Sequence, residues 1–194
     1  MRIIKGIDSE KSITQKRVCY SKSWMDYFDT VIFTLFFSTG FVICPLLIYA
    51  YELDYTNLSP NEKFLSTIIL PPVILFGIYM VFRKITELRL RKIVTEFDRD
   101  LNQKLVLEFA KHDGFDIRRK SGYCIVLDKT SLMNPMLAKT AVLLVRDKTI
   151  YFAMIQDSFK VNIPTMISHF IFEWRMRKWL RRNLSSKLRN GSMK

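Results

Sequence analysis

Two stretches of the chain break with the mixed polar pattern around them. Val31 to Tyr51 is a run of 21 residues without a charge, and Phe64 to Phe82 is a second run of 19. A bilayer core is crossed by about 20 apolar residues in a helix. A soluble helix is seldom apolar on every face for five turns. The pattern therefore predicts two spans, 31–51 and 64–82, joined by a short loop over 52–63, within a membrane hairpin covering residues 25–82. Asp26 and Asp29 stand just before the first run, where carboxylates favour the exposed amides of a helix start. Tyr49, Tyr51 and Tyr55 fall where amphipathic rings settle at a membrane interface.

Both spans carry residues that disturb helices: Gly40 and Pro45 in the first, and Pro71, Pro72 and Gly77 in the second. Proline lacks an N–H and crowds the preceding turn. Two adjacent prolines predict a kink or a broken turn, either tolerated in place or used as a hinge or pore-lining break. Ser66 and Thr67, one turn earlier, are placed to serve the freed carbonyls. Gly40 and Gly77 would let neighbouring helices approach closely, as an oligomer requires.

Beyond Phe82, residues Ile85, Leu88, Val94, Phe97, Leu101, Leu105 and Phe109 recur at helical spacing, and Gly114 follows as a stop. This predicts a stalk helix over 83–113 that continues the second span. From Phe115 the pattern shifts to short β-type runs. FDIRR and YCIVLD flank a turn at Lys120–Gly122, and TAVLLVR and TIYFAMIQ flank a tight turn at Asp147–Lys148. FKVNI offers a fifth strand, and Pro164 opens a helix over about 165–188 whose Ile167, Phe170, Ile171 and Trp174 are expected to pack on the sheet. The expected fold class is thus a two-span α-helical hairpin with a small α+β domain, antiparallel in its sheet, over 114–194.

Charge orients this arrangement. Residues 1–24 hold six Lys/Arg against two acids, the loop 52–63 holds one Lys against three, and 83–194 holds 24 against 11. Lysine and arginine stay on the cytoplasmic side. Both termini are therefore expected in the cytoplasm, with the protein multi-pass in the inner (plasma) membrane. The first 24 residues, a basic arm without an apolar core, are not expected to be a signal peptide. The net charge of +13 is concentrated beside the second span and in the last helix. Arg83, Lys84, Arg89, Arg91 and Lys92 follow the span, and Trp174, Arg175, Arg177, Lys178, Trp179, Arg181 and Arg182 make the end of the chain a basic helix with tryptophans. This set is expected to touch lipid headgroups, nucleic-acid phosphates or a partner, with a solvated charged face as the alternative.

No motif for catalysis or a cofactor is present. The six glycines are scattered, and Cys19, Cys44 and Cys124 match no metal or disulfide pattern. His112 and His169 stand alone, and the acids of EFDRD at 96–100 read as charge balance on an exposed helix. Neither an enzyme, a metal, nor a small-molecule substrate is expected.

In the order of its parts, a basic arm, the spans Val31–Tyr51 and Phe64–Phe82 and a basic domain after Arg83, the chain resembles the two-transmembrane effectors of bacterial anti-phage systems, particularly those associated with retrons. That resemblance implies a membrane-perturbing, oligomerising protein held inactive by a reverse transcriptase with its RNA–DNA product and released on infection. It carries over no individual residue. A non-enzymatic anchor or assembly subunit, and a cytoplasmic ligand sensor coupled to the spans, are the competing expectations.

The charge asymmetry yields a direct test. A cysteine at Asn57→Cys should be labelled by an impermeant reagent on intact cells, and one added at the C-terminus should not. The reverse pattern would overturn the topology.

Overall fold

The computed structural model describes residues 6–22, 24–53, 59, 61, 64–129, 137–158 and 168–191. These form two compact units. One is the stretch 22–86; the other is assembled from the chain on both sides of it, up to Ser21 and from Glu87 onward.

The first unit is an apolar helical hairpin. Helix α2 (Trp24–Ser38) passes through a π-helical turn (Thr39–Ile43) into α3 (Cys44–Leu53). A second π-helical turn (Leu65–Ile69) leads into α4 (Leu70–Thr86). Asp26–Tyr51 and Thr67–Thr86 are long and apolar enough to cross a bilayer. Only 11% of the first apolar window and 28% of the second is buried. The first helix overruns its expected span at both ends, and the second runs on past Phe82 to Thr86; most of the loop expected over 52–63 lies outside the described residues.

The prolines do not break either helix. Each wide turn stands immediately ahead of them. Cys44 donates its N–H to the Thr39 carbonyl, five residues back, and Pro45, which has no N–H, comes next. Widening the turn moves a carbonyl out of the ring's way, the usual role of a π-bulge beside a helix defect. Leu65–Ile69 precedes Pro71 and Pro72 in the same manner. At each of the expected kinks the winding changes locally.

Gly77 holds the hairpin together. A Cβ there would lie 2.6 Å from the Phe41 Cβ and 2.9 Å from its carbonyl oxygen, so only glycine admits this backbone approach. Gly40 has open space around its Cβ position and plays no such part within the chain. Phe33, Phe37 and Phe41 stack at ring separations of 4.4 and 5.0 Å, and Phe41 meets Phe76 edge-on at 6.0 Å.

The second unit is built on a five-stranded antiparallel sheet. Its strands are β1 (Arg91–Val94), β2 (Asp116–Ser121), β3 (Cys124–Lys129), β4 (Leu137–Arg146) and β5 (Thr149–Ser158), in the order β1-β5-β4-β3-β2. Alternate residues serve two cores. Ile125, Leu127, Leu143, Val145, Ile150 and Phe152 face α5 (Arg99–His112) and α6 (Ser168–Gly191), from which Leu105, Val106, Phe109, Phe172, Met176 and Leu180 complete the layer. Val126, Val142, Leu144 and Ile155 face the other way, onto Val18, Leu88, Leu90 and the partly buried Ile7, Ile13 and Tyr20.

Three expectations are corrected here. The stalk helix over 83–113 does not exist as one helix. The helix stops at Thr86, and the chain then enters the sheet as β1. Ile93, Thr95 and Phe97 are buried in alternation with exposed Val94 and Glu96, a period of two. Asp98 then caps a new helix, accepting the Leu101 N–H at 3.0 Å. The arm expected over 1–24 is, over its described part, structural. Helix α1 (Ser9–Thr14), capped by Asp8, precedes Val18, which is 1% exposed beneath the sheet. Thirdly, α6 turns a different face inward. Phe172, Met176 and Leu180 are buried, while Phe170, Ile171 and Trp174 are exposed, Trp174 to 60%. Ile167, Pro164 and the FKVNI segment lie outside the described residues, and the fifth strand is β1. The turns at Gly114 and at Asp147–Lys148 stand where the pattern puts them; Gly114 adopts φ 72° and ends α5.

Replacing Gly77 by alanine forces Cβ against backbone atoms that cannot swing aside. The overpacking cost of about 1–3 kcal/mol exceeds the helix-propensity gain of about 1 kcal/mol. Detergent-titrated unfolding followed by circular dichroism should show G77A destabilised and G40A unchanged or slightly more stable. Equal behaviour of the two variants would remove the packing role assigned to Gly77.

Candidate functional site

A cluster of basic residues lies where α6 runs beside the edge strand β1. Glu173, on the first turns of α6, is the organiser. It accepts from Arg91 Nη1 at 3.0 Å, and from Arg177 Nε and Nη2 at 3.0 and 2.8 Å. The Arg177 pair is the i, i+4 spacing of a helix, while Arg91 comes from β1. The Arg91 guanidinium also lies 4.4 Å over the Phe170 ring. Arg177 Nη2 reaches the Lys92 carbonyl at 3.4 Å, so α6 covers part of the edge that β1 leaves unpaired. One carboxylate thus orients two guanidiniums.

Partial burial pushes the Glu173 carboxyl up, but the hydrogen bonds and charges of Arg177 and Arg91 outweigh it. The group ionises below the usual carboxylate range.

Asp113, just past the end of α5, is a second organiser. It accepts from Arg175 Nη1 at 2.8 Å and from Lys129 Nζ at 3.3 Å. Lys178 sits 4.9 Å over the Trp174 ring. Arg175, Lys178, Arg181 and Arg182 are all exposed, as are Phe170, Ile171 and Trp174. The outer side of α6 is therefore aromatic and cationic together. That combination is the composition of a helix that lies on a membrane surface.

Beside it, β1 and the segment after it form a groove against α6. Its volume is about 320 Å³, with Ile93, Phe97, Leu180 and Leu184 as apolar lining and Arg177, Arg181, Thr95 and Glu96 as polar lining. Thr95 is 8% exposed, and its buried Oγ1 has no hydrogen-bond partner among the described residues.

Of the residues expected to contact lipid or a partner, the structure gathers Arg91, Lys92, Trp174, Arg175, Arg177, Lys178, Arg181 and Arg182 in this unit on β1 and α6. Arg89 is exposed and pairs across a β-bridge with Arg17. Three members do not belong. Arg83 and Lys84 are buried in the hairpin unit, Lys84 because its Nζ donates to Asp29 Oδ2 at 2.9 Å and lies 5.2 Å from the Phe33 ring. Trp179 is half-buried against His112 and Phe109, at ring separations of 4.9 and 6.3 Å. Of the kink and packing set, Pro45, Pro71 and Pro72 follow the wide turns and Gly77 meets Phe41.

Sequence reasoning missed Glu173, Asp113 and Thr95, and it placed Asp29 at a helix start without its partner Lys84. The Glu173–Arg177 spacing was a usable signal; the other contacts join residues distant in sequence. Among the described residues no cluster of His, Cys, Asp or Glu could hold a metal. Within EFDRD, Glu96 precedes the helix, Asp98 caps it and Asp100 pairs with Arg99 at 3.2 Å. The buried Cys124 thiol is pushed up to about 11 by desolvation, which keeps it protonated and unreactive. No protein-family model matches this chain, and no curated protein is similar enough to show relatedness.

The Glu173 cluster has a pH signature. A carboxyl whose folded value is lowered adds stability that is fully present above its unfolded value, about 4.3, and is lost as pH falls through the folded value. Thermal unfolding of the full chain should therefore weaken on acidification below that range, and Glu173→Gln should flatten this limb. An acid limb of the same steepness in the variant would deny Glu173 that role.

Proposed function

We propose that the protein is an integral membrane effector: the apolar hairpin crosses the inner membrane, the α+β domain lies on the cytoplasmic side, and the hairpin perturbs the bilayer when a partner of the domain lets go. The observation that carries this reading is the outward-facing apolar belt of the hairpin. Val31, Leu35, Phe36, Leu47, Leu75 and Ile78 are among many large apolar side chains left exposed. Water would penalise such a belt at about 25 cal/mol per Å², and a lipid core removes the penalty. Soluble core helices of this length would be buried.

The excess of Lys and Arg on both sides of the hairpin supports a cytoplasmic domain. The cationic, aromatic outer side of α6 supports contact with anionic headgroups or with an acidic partner. Two helices alone enclose no channel, so perturbation requires several copies. The shared order of parts with retron-associated effectors is the ground for assigning it to anti-phage defence, with a reverse transcriptase and its nucleic acid as the restraining partner. A ligand sensor coupled to the hairpin is the second reading, favoured by the groove between β1 and α6.

Expressed without its partner, the protein should be toxic and should depolarise the membrane within minutes of induction, as read by a potential-sensitive dye. Replacing both Pro71 and Pro72 with leucine allows the wide turn to relax to ordinary α winding and should relieve toxicity while leaving insertion intact. Should abundant inserted wild-type protein leave the potential unchanged, the anchor reading replaces this one.

A further inference from the structure

The groove between β1 and α6 has the chemistry of a binding site. Its apolar lining comes from both elements: Ile93 and Phe97 from the strand side, Leu180 and Leu184 from the helix. Arg177 and Arg181 stand one helical turn apart and line the same groove. Glu173 holds the Arg177 guanidinium through Nε and Nη2, which fixes its plane before any ligand arrives. A pre-set guanidinium is suited to phosphate and carboxylate oxygens, and Arg181 adds a second beside it.

The second, independent observation is Thr95. It shares the burial phase of Ile93 and Phe97, the side of the chain that meets the helices. Its hydroxyl is buried without a partner among the described residues, although it lines the groove. A buried hydroxyl left unmade costs about 1–3 kcal/mol, and a ligand oxygen or the ligand's own donor would satisfy it. A volume of about 320 Å³ lies at the lower end of ligand pockets. It admits a head and a short apolar segment, and is too small for an entire two-chain lipid.

We infer that this groove binds an anionic amphiphile, a phosphate-type headgroup on an apolar body. The head sits against Arg177 and Arg181 with an oxygen on Thr95, and the body lies on Ile93, Phe97, Leu180 and Leu184. A nucleotide fits less well, because the apolar lining is aliphatic apart from one phenyl ring, and beyond the two arginines only Thr95 and Glu96 could read base edges. The site belongs to the α+β domain alone, and its existence does not depend on whether the hairpin crosses a bilayer. The headgroup has two possible sources, a membrane phospholipid or a free short-chain amphiphile.

The test uses the full chain in nanodiscs of phosphatidylcholine. In one arm soluble dihexanoyl phosphatidic acid is titrated in; in the other the discs are doped with long-chain phosphatidic acid. Inorganic phosphate and adenosine monophosphate serve as comparison probes. Saturable binding of one phosphatidic acid per chain is expected in at least one arm, and the arm that saturates identifies the source. Arg181→Gln should weaken it by about tenfold, the worth of one charge-assisted hydrogen bond. Thr95→Val keeps the shape and removes the orphan hydroxyl, so it should raise the thermal midpoint while lowering affinity severalfold. A purely structural threonine would not move the two readouts in opposite directions. Saturation in neither arm, wild-type affinity in both variants, or equal or tighter binding of inorganic phosphate or the nucleotide would overturn the assignment.

Discussion

Six residues of backbone hold the two ends of the α+β domain together. Val18 donates its N–H to the Leu88 carbonyl at 2.8 Å, Leu90 donates to Lys16 at 2.9 Å, and Arg17 lies opposite Arg89. The chain leaves the domain after Ser21 and returns at Glu87, with the hairpin as the intervening insert. This short antiparallel ladder places Val18, Leu88 and Leu90 under Val126, Val142 and Leu144. Together with the partly buried Ile7, Ile13 and Tyr20 it covers the second face of the sheet. The sheet, and through β1 the basic cluster on α6, depends on that closure.

The hairpin is fastened by different physics at different points. At Gly77 the fit is steric, backbone against the Phe41 backbone. At Lys84 it is electrostatic: the buried amine, its side chain 1% exposed, meets Asp29 at 2.9 Å and the face of Phe33 at 5.2 Å. A buried cation without such a partner would be strongly destabilising. Between these points the rings of Phe33, Phe37 and Phe41 fill the seam. The prolines are tolerated since each follows a turn wide enough to need no hydrogen bond from them.

Much of this was legible from pattern, and the failures are instructive. Long uncharged runs mark the two apolar helices because length and composition are visible in the sequence itself. The runs YCIVLD, TAVLLVR and TIYFAMIQ, bounded by turn residues, overlap β3, β4 and β5. β1 was hidden because Val94, Phe97 and Leu101 mimic a helical stripe, while the true alternation of Ile93, Thr95 and Phe97 spans only five residues. The cap at Asp98 was the available signal. On α6 two apolar stripes compete, and only the tertiary fold chooses Phe172, Met176 and Leu180 over Phe170, Ile171 and Trp174. The Thr95 groove was beyond reach, since its walls are some 80 residues apart in sequence.

The inserted position of the hairpin also sets an order of assembly in time. Val18 emerges from the ribosome early, yet its partner Leu144 follows 126 residues later (144 − 18). At about 5–20 residues per second that interval is on the order of ten seconds. Throughout it, Ile7, Ile13 and Val18 have no sheet to cover, while both apolar helices have already been synthesised. Both helices are therefore fully synthesised before the domain can be completed. Any step that stalls translation between Thr86 and Leu144 leaves a finished hairpin attached to an unfinished domain.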